Sequence, residues 1–217
     1  MNCILCQSER TDLFKVVKKP ERSYFHCIDC DMIYMHPLER YTSQEEKARY
    51  DLHENNLSAG YVAFLQPLIE DLHKLCKESL KNSQVVKGLD YGCGPTAVAS
   101  ELMAIKGYQM TNYDMYFAPD QSYLNSKYKF ILSTEVWEHF YYPHKEIHNL
   151  VDLLESGGLL GVMTSAHKGE AAFHDWHYRR DLTHVSFFSE KTFEWVAQKF
   201  GLRILKARSP YFILQKI

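Results

Sequence analysis

Between residues 61 and 75 apolar side chains return at steps of three and four: Tyr61, Phe64, Leu65, Leu68, Ile69, Leu72 and Leu75. That spacing lays them along one stripe of an α-helix, so residues 41–81 read as helical and the stripe as packing surface. From residue 85 the pattern changes. Residues 85–91 form a short β run, 96–106 are helical, and 108–113 make a second strand that ends at Asp114. Residues 128–134 are a third strand, and a helical stretch follows around 145–154. Gly157-Gly158 introduces the apolar run 159–163. Beyond a long aromatic loop, residues 190–200 form a helix closed by Gly201. The strands 203–207 and 211–216 flank a Ser209-Pro210 turn.

Strand alternating with helix predicts an α/β fold, a Rossmann-like, doubly wound and mostly parallel sheet with helices on both faces. Only a few residues separate the last two strands, too few for a crossover, so they form a terminal antiparallel hairpin. Four of the six cysteines precede this unit as two pairs, Cys3-x-x-Cys6 and Cys27-x-x-Cys30, with 20 residues between them. Two such knuckles offer four thiolates to one tetrahedral ion, the spacing of a small zinc ribbon, and a closed four-sulfur site makes the zinc structural. The expected organisation is a zinc ribbon over 1–38, a helical connecting segment over 39–84 and the α/β domain over 85–217. So small a ribbon has little core and depends on its metal to fold.

Composition narrows the function. The net charge is −2 and no run of five basic residues occurs, so no nucleic-acid partner is expected. No stretch of about 18 apolar residues occurs, and the start lacks a signal-peptide pattern, so a cytoplasmic protein with no membrane partner is expected. The number of subunits is left open.

The candidate chemistry gathers at the carboxyl ends of the first three α/β strands, where ligands of such sheets bind. Asp90, Gly92 and Gly94 close the first strand, and Asp114 ends the second. Glycines let backbone approach a ligand, and an acid at the second strand's end can accept ribose hydroxyls. This much fits several nucleoside cofactors. The segments Leu89-Asp90-Tyr91-Gly92-Cys93-Gly94-Pro95, Tyr113-Asp114, the block from Ile131 through Ser133-Thr134-Glu135-Val136-Trp137-Glu138-His139, and Glu155-Ser156-Gly157-Gly158-Leu159-Leu160 are more specific together. In that order they resemble the class I S-adenosylmethionine-dependent methyltransferases over residues 85–217. The cysteine knuckles and the stretch Trp176–Val185 resemble a bacterial subgroup with an amino-terminal zinc ribbon.

The resemblance implies methyl transfer from S-adenosylmethionine to a small-molecule acceptor, with structural zinc as a second cofactor. It places Gly92 and Gly94 by the methionine and ribose portion, with Asp90 fixing their turn. Asp114 is placed on the ribose hydroxyls, with Thr134 and Glu135 lining the cofactor and substrate side. Two departures stand out. Thr96 occupies the third small position of the glycine motif. Only 15 residues separate Asp114 from Phe130, so the edge strand that carries an adenine-side acid is shortened or missing; Met115-Tyr116-Phe117 can cover the adenine instead. For the chemistry, His139 is the first candidate for a general base or for orienting the acceptor, with His177 and Tyr178 in the aromatic loop beside Trp176 and Arg179. No tight spacing in the sequence marks a second metal. Two other readings stay open: an NAD-dependent oxidoreductase, disfavoured by the absent third glycine and the terminal hairpin, and a cofactor-binding or scaffold protein without turnover.

Overall fold

The computed structural model describes residues 1–50, 58–79 and 85–217. The helical stretch expected over 41–81 resolves into two helices, α1 (Ser43–Tyr50) and α2 (Ala59–Ser79). The parts of that expectation at 51–57 and 80–81 lie outside the described residues.

The main sheet has six strands: β4 (Lys87–Tyr91), β5 (Gln109–Tyr113), β6 (Tyr128–Thr134), β7 (Leu154–Met163), β9 (Leu202–Arg208) and β10 (Tyr211–Lys216). Their order across the sheet is β5-β4-β6-β7-β10-β9. The first four are parallel, and β10 runs antiparallel to both β7 and β9, the arrangement expected from the strand spacing. Between β5 and β6 lies only a 3-10 turn, Gln121–Asn125. β5 is therefore an edge, and the strand that the short Asp114-to-Phe130 interval left no room for is absent among the described residues. β7 starts at Leu154 rather than after the two glycines, its extra residues absorbed by a register shift against β6 between Tyr128 and Phe130.

Period-two alternation assigns the faces. Phe130, Leu132, Leu159, Met163, Tyr211 and Ile213 pack under α2 and α3 (Val98–Ile105), whose Leu65, Leu68, Ile69, Leu72, Val98 and Met103 complete that layer. The intervening Ile131, Leu160, Val162, Phe212 and Leu214 face α4 (Pro143–Leu153) and α6 (Glu190–Lys199). Ser189 starts α6 with a reciprocal capping box to Thr192.

The amino-terminal unit is a four-stranded antiparallel sheet, β1 (Thr11–Val16), β2 (Arg22–Cys27), β3 (Ile33–Met35) and β8 (Ser186–Phe187). The fourth strand comes from the aromatic loop, far along the chain, which also carries the single helical turn α5 (Glu170–Phe173). Val16, Tyr24, Ile33 and Met35 share a core with Phe173, Tyr178, Val185 and Phe187. Cys3, Leu5, Cys27 and Cys30 belong to the same apolar cluster as Trp137, Leu150 and Phe188. The ribbon thus gains from the α/β unit the burial its own length cannot supply.

Candidate functional site

The parallel strands β4, β5 and β6 open their carboxyl ends on one side, around a cavity of about 930 Å³. That lies within the range of about 300–1,000 Å³ usual for small-molecule sites. Asp90, Gly92, Gly94, Asp114, Thr134, Glu135 and His139 all line it. The glycine turn is left-handed at Gly92 and Gly94, with φ of 82° and 64°. A Cβ on Gly92 would fall 2.2 Å from Val136 Cγ2, so glycine is required there by packing as well as by φ. The Gly92 and Cys93 N–H groups donate to the Tyr113 carbonyl at 2.7 and 3.1 Å, and the Gly94 N–H donates to Asp114 Oδ2 at 3.0 Å. The turn is thereby laced to the end of β5.

Asp90 works from below. Its Oδ2 accepts from the Ser100 N–H at 3.0 Å, capping α3 from the strand where the helix's own N-cap residue, Ala97, offers no side-chain bond. Oδ1 is buried without a hydrogen-bond partner among the described residues, and burial pushes the carboxyl up to about 7. Asp114 Oδ1 accepts from the Tyr116 and Phe117 N–H groups at 2.9 and 3.1 Å. With an Asp114–Ala118 bridge these bonds fold Met115, Tyr116 and Phe117 into a tight loop that borders the cavity. Two donors fill Oδ1, while Oδ2, bonded once by Gly94, keeps one acceptor direction.

At the end of β6, Glu135 has a φ of 55°, uncommon for a non-glycine residue and typical of chain held for a site. Burial, together with the neighbouring Glu138 charge, raises its carboxyl to about 9, so it keeps its proton at neutral pH. Glu138 is completely buried beneath it. The Tyr178 hydroxyl donates to Glu138 Oε1 at 2.6 Å and sits 3.2 Å from Glu135 Oε2. Tyr178 therefore stands one layer behind the cavity wall and acts on it through these carboxyls. His177, its neighbour in the same 3-10 turn, points out to solvent and does not reach the cavity, because successive residues of that turn diverge.

His139 and His184 meet edge to face, with ring centroids 4.8 Å apart. His139 Nδ1 donates to the Thr183 carbonyl at 3.0 Å and His184 Nδ1 to the Tyr178 carbonyl at 2.7 Å. Burial depresses the His139 imidazole to about 4, so the ring is neutral at physiological pH.

The four knuckle thiols converge, all within 4.8 Å of one another. Cys3 Sγ lies 3.6 Å from Cys30 Sγ, and Cys6 Sγ lies 3.4 Å from Cys27 Sγ. Zn–S bonds of about 2.3 Å place tetrahedral sulfurs about 3.7 Å apart, so the donor set fits zinc with no position left open. Both knuckles end in a left-handed residue, Gln7 at φ 64° and Asp31 at φ 59°. Each returns its N–H to the first cysteine's carbonyl.

Some of the wall was not legible as site. Tyr61 and Phe64, read as packing from the helical stripe, border the cavity, as does Glu46 of α1. The signal present was chemical: the stripe is aromatic at its start and aliphatic only from Leu65 onward. His184 was legible as a loop histidine, not as a partner of His139, because 44 residues of chain separate two groups that only the tertiary fold joins.

A doubly wound sheet with a glycine turn, a second-strand acid and a large cavity at its switch point defines a nucleoside-cofactor-binding α/β protein. Residues 61–207 match the family model described as a methyltransferase domain, and the chain belongs to that family. No curated protein sequence matches it. Among solved structures it is similar to the 1,6-didemethyltoxoflavin-N1-methyltransferase of Burkholderia thailandensis, solved with 1,6-didemethyltoxoflavin and S-adenosylhomocysteine. The two are 12% identical over 88% of this chain and 98% of that one, with a TM-score of 0.51. The magnesium protoporphyrin IX methyltransferase of Synechocystis PCC 6803, solved with S-adenosylmethionine, is 14% identical over 81% and 92%, with a TM-score of 0.50. TehB of Haemophilus influenzae is 15% identical over 68% of this chain, which spans only 62% of TehB, with a TM-score of 0.47. These likenesses are of fold. No helix among the described residues is long and apolar enough to cross a membrane.

Proposed function

We propose that the protein transfers a methyl group from S-adenosylmethionine to a small-molecule acceptor in the cytoplasm. The observation that carries this reading is the single cavity wall formed by the Gly92–Gly94 turn, Asp114 and the Thr134–Glu135 strand end, in a chain of the methyltransferase family. S-adenosylmethionine supplies, when bound, an electrophilic methyl on a sulfonium sulfur. The residues present fit it: Asp114 Oδ2 has an acceptor direction left for a ribose hydroxyl, Gly92 and Gly94 expose backbone for close approach, and Met115, Tyr116 and Phe117 offer a wall for adenine where the described residues include no edge-strand acid.

The chain's part in such a displacement is chiefly positioning and exclusion of water. His139 borders the cavity with its Nδ1 fixed on the Thr183 carbonyl, so Nε2 is the ring atom it turns toward the acceptor side. Tyr178 is a positioning residue, holding Glu138 and Glu135. Small acceptors agree with the near-neutral net charge and with the small molecules for which the two solved methyltransferases above are named. Calorimetric titration separates this reading from a nicotinamide enzyme. S-adenosylhomocysteine is expected to bind and NAD not to; tight NAD binding without S-adenosylhomocysteine binding overturns it. A preparation that binds S-adenosylmethionine yet methylates nothing across a broad acceptor panel would favour the binding-protein reading.

A further inference from the structure

Glu138, His139 and His184 each bring one ligating atom within 4.8 Å of the other two, at the base of the acceptor side. We propose that these three side chains form a divalent-metal site, distinct from the four-cysteine zinc site, that takes a cation such as Mn²⁺, Fe²⁺ or Zn²⁺ on two imidazole nitrogens and one carboxylate.

The orientation of the rings carries the argument. A carbonyl oxygen only accepts, so the contacts of His139 Nδ1 with Thr183 O and of His184 Nδ1 with Tyr178 O fix both Nδ1 atoms as N–H donors. In the neutral ring the lone pair is then on Nε2. This is the outer-shell pattern that metal-bound histidines show: one ring nitrogen donating to backbone while the other ligates. His139 Nε2 lies 4.0 Å from Glu138 Oε1. Ligand atoms on a shared ion with bonds of about 2.0–2.2 Å sit roughly 3–3.5 Å apart, so closure asks for side-chain movements of about 1 Å.

Glu138 supplies the independent observation. It is 0% exposed, yet its Oε2 has no hydrogen-bond partner among the described residues. An apolar core has no use for a half-satisfied carboxylate, and a cation resolves the deficit. Its other oxygen is held by Tyr178 at 2.6 Å, as ligating carboxylates are by their outer shell. Two imidazoles and a carboxylate suit first-row transition metals better than Mg²⁺ or Ca²⁺. Three ligands leave coordination positions open, and His139 and His184 both border the cavity. Cation binding here does not depend on the methyl-transfer reading and is measurable without turnover.

The test uses the full chain with its ribbon zinc in place. Mn²⁺, which thiolates do not favour, is titrated in and the free ion followed by electron paramagnetic resonance. The expected result is one Mn²⁺ per chain, displaced by added Zn²⁺, with affinity lowered by more than about tenfold in Glu138→Gln and in His184→Gln. Circular dichroism and an unchanged cysteine-bound zinc content establish that each variant is folded. If one variant misfolds, the other decides, and Tyr178→Phe, which removes only the outer-shell hydroxyl, gives a smaller loss in the same direction. No Mn²⁺ binding beyond the ribbon zinc overturns the site, and so does binding that folded Glu138 and His184 variants leave unchanged.

Discussion

The Ser189 hydroxyl donates to Asp31 Oδ2 at 2.6 Å while accepting from the Thr192 N–H at 3.1 Å. One residue thus caps α6 and holds the residue that turns the second zinc knuckle. His167 Nε2 donates to the Asp31 carbonyl at 2.9 Å, and His144 Nδ1 to the Leu5 carbonyl at 2.8 Å. Both knuckles are therefore tied to the α/β unit. Asp31→Gly keeps the left-handed backbone but removes the acceptor. It is expected to cost about 1–2 kcal/mol in denaturant unfolding, and less in a Ser189→Ala background. Equal cost in the two backgrounds would show that the pair is not coupled.

Because ribbon and α/β unit share a core, the metal's contribution extends beyond the ribbon. Metal analysis of protein dialysed against a weak chelator should find the four-thiolate site holding one zinc, and stripping it with a strong chelator should lower the melting temperature of the whole chain. Zinc-free protein that melts at the same temperature would remove the ion from the account of stability.

Asp114 bonds the Gly94 turn and its own loop, and in the proposed function the acceptor direction left on its Oδ2 takes a ribose hydroxyl. Asp114→Ala is expected to weaken S-adenosylhomocysteine binding by about 1–3 kcal/mol, read by calorimetry. Asp114→Asn, which keeps one acceptor oxygen, should lose less. Unchanged titrations in both variants would place the ribose elsewhere.

Asp90 and Glu135 have carboxyls raised to about 7 and about 9. A positively charged ligand beside them favours their ionised forms and lowers both values, so protons leave as it binds near pH 7. S-adenosylmethionine, which carries one positive charge more than S-adenosylhomocysteine, should release more protons. Calorimetry in two buffers of different ionisation enthalpy measures the difference, and equal release would show that the sulfonium does not sense these carboxyls.

His167 gives a pH dependence of stability. It is buried and its imidazole is depressed to about 4, chiefly by burial. Its Nδ1 accepts from the Gly169 N–H while Nε2 donates to Asp31, so a second proton would break the first bond. The native state binds fewer protons than the unfolded chain between pH about 6.5 and about 4. The contribution is complete above about 6.5 and is lost as pH falls through that window, at up to about 1.4 kcal/mol per pH unit. His167→Gln should flatten the slope of denaturation midpoint against pH there. An unchanged slope would assign the titration to another group.

The order of strands and helices from residue 85 onward was legible because each element carries its own local period, and the hairpin because Ser209-Pro210 leaves room for nothing else. The absent edge strand was legible by counting residues between Asp114 and Phe130. What local pattern could not carry was contact across the chain. Nothing near Asp90 states that it caps α3, and nothing near Tyr178 separates its inward hydroxyl from the outward ring of His177. Tyr61 and Phe64 share a helical stripe with core leucines, and only the opening of the sheet above them makes their end of it a wall.

The two-residue strand β8 has a consequence for how the chain folds. Its pairing of Ser186 with Tyr34 and of Phe187 with Ile33 joins residues about 150 positions apart. The ribbon segment therefore waits on one synthesised much later, with the buried strand Ile33–Met35 exposing an unpaired edge in the interval. Early zinc capture would hold the two knuckles together through that wait, with the long loop from Tyr34 to Ser186 still to close.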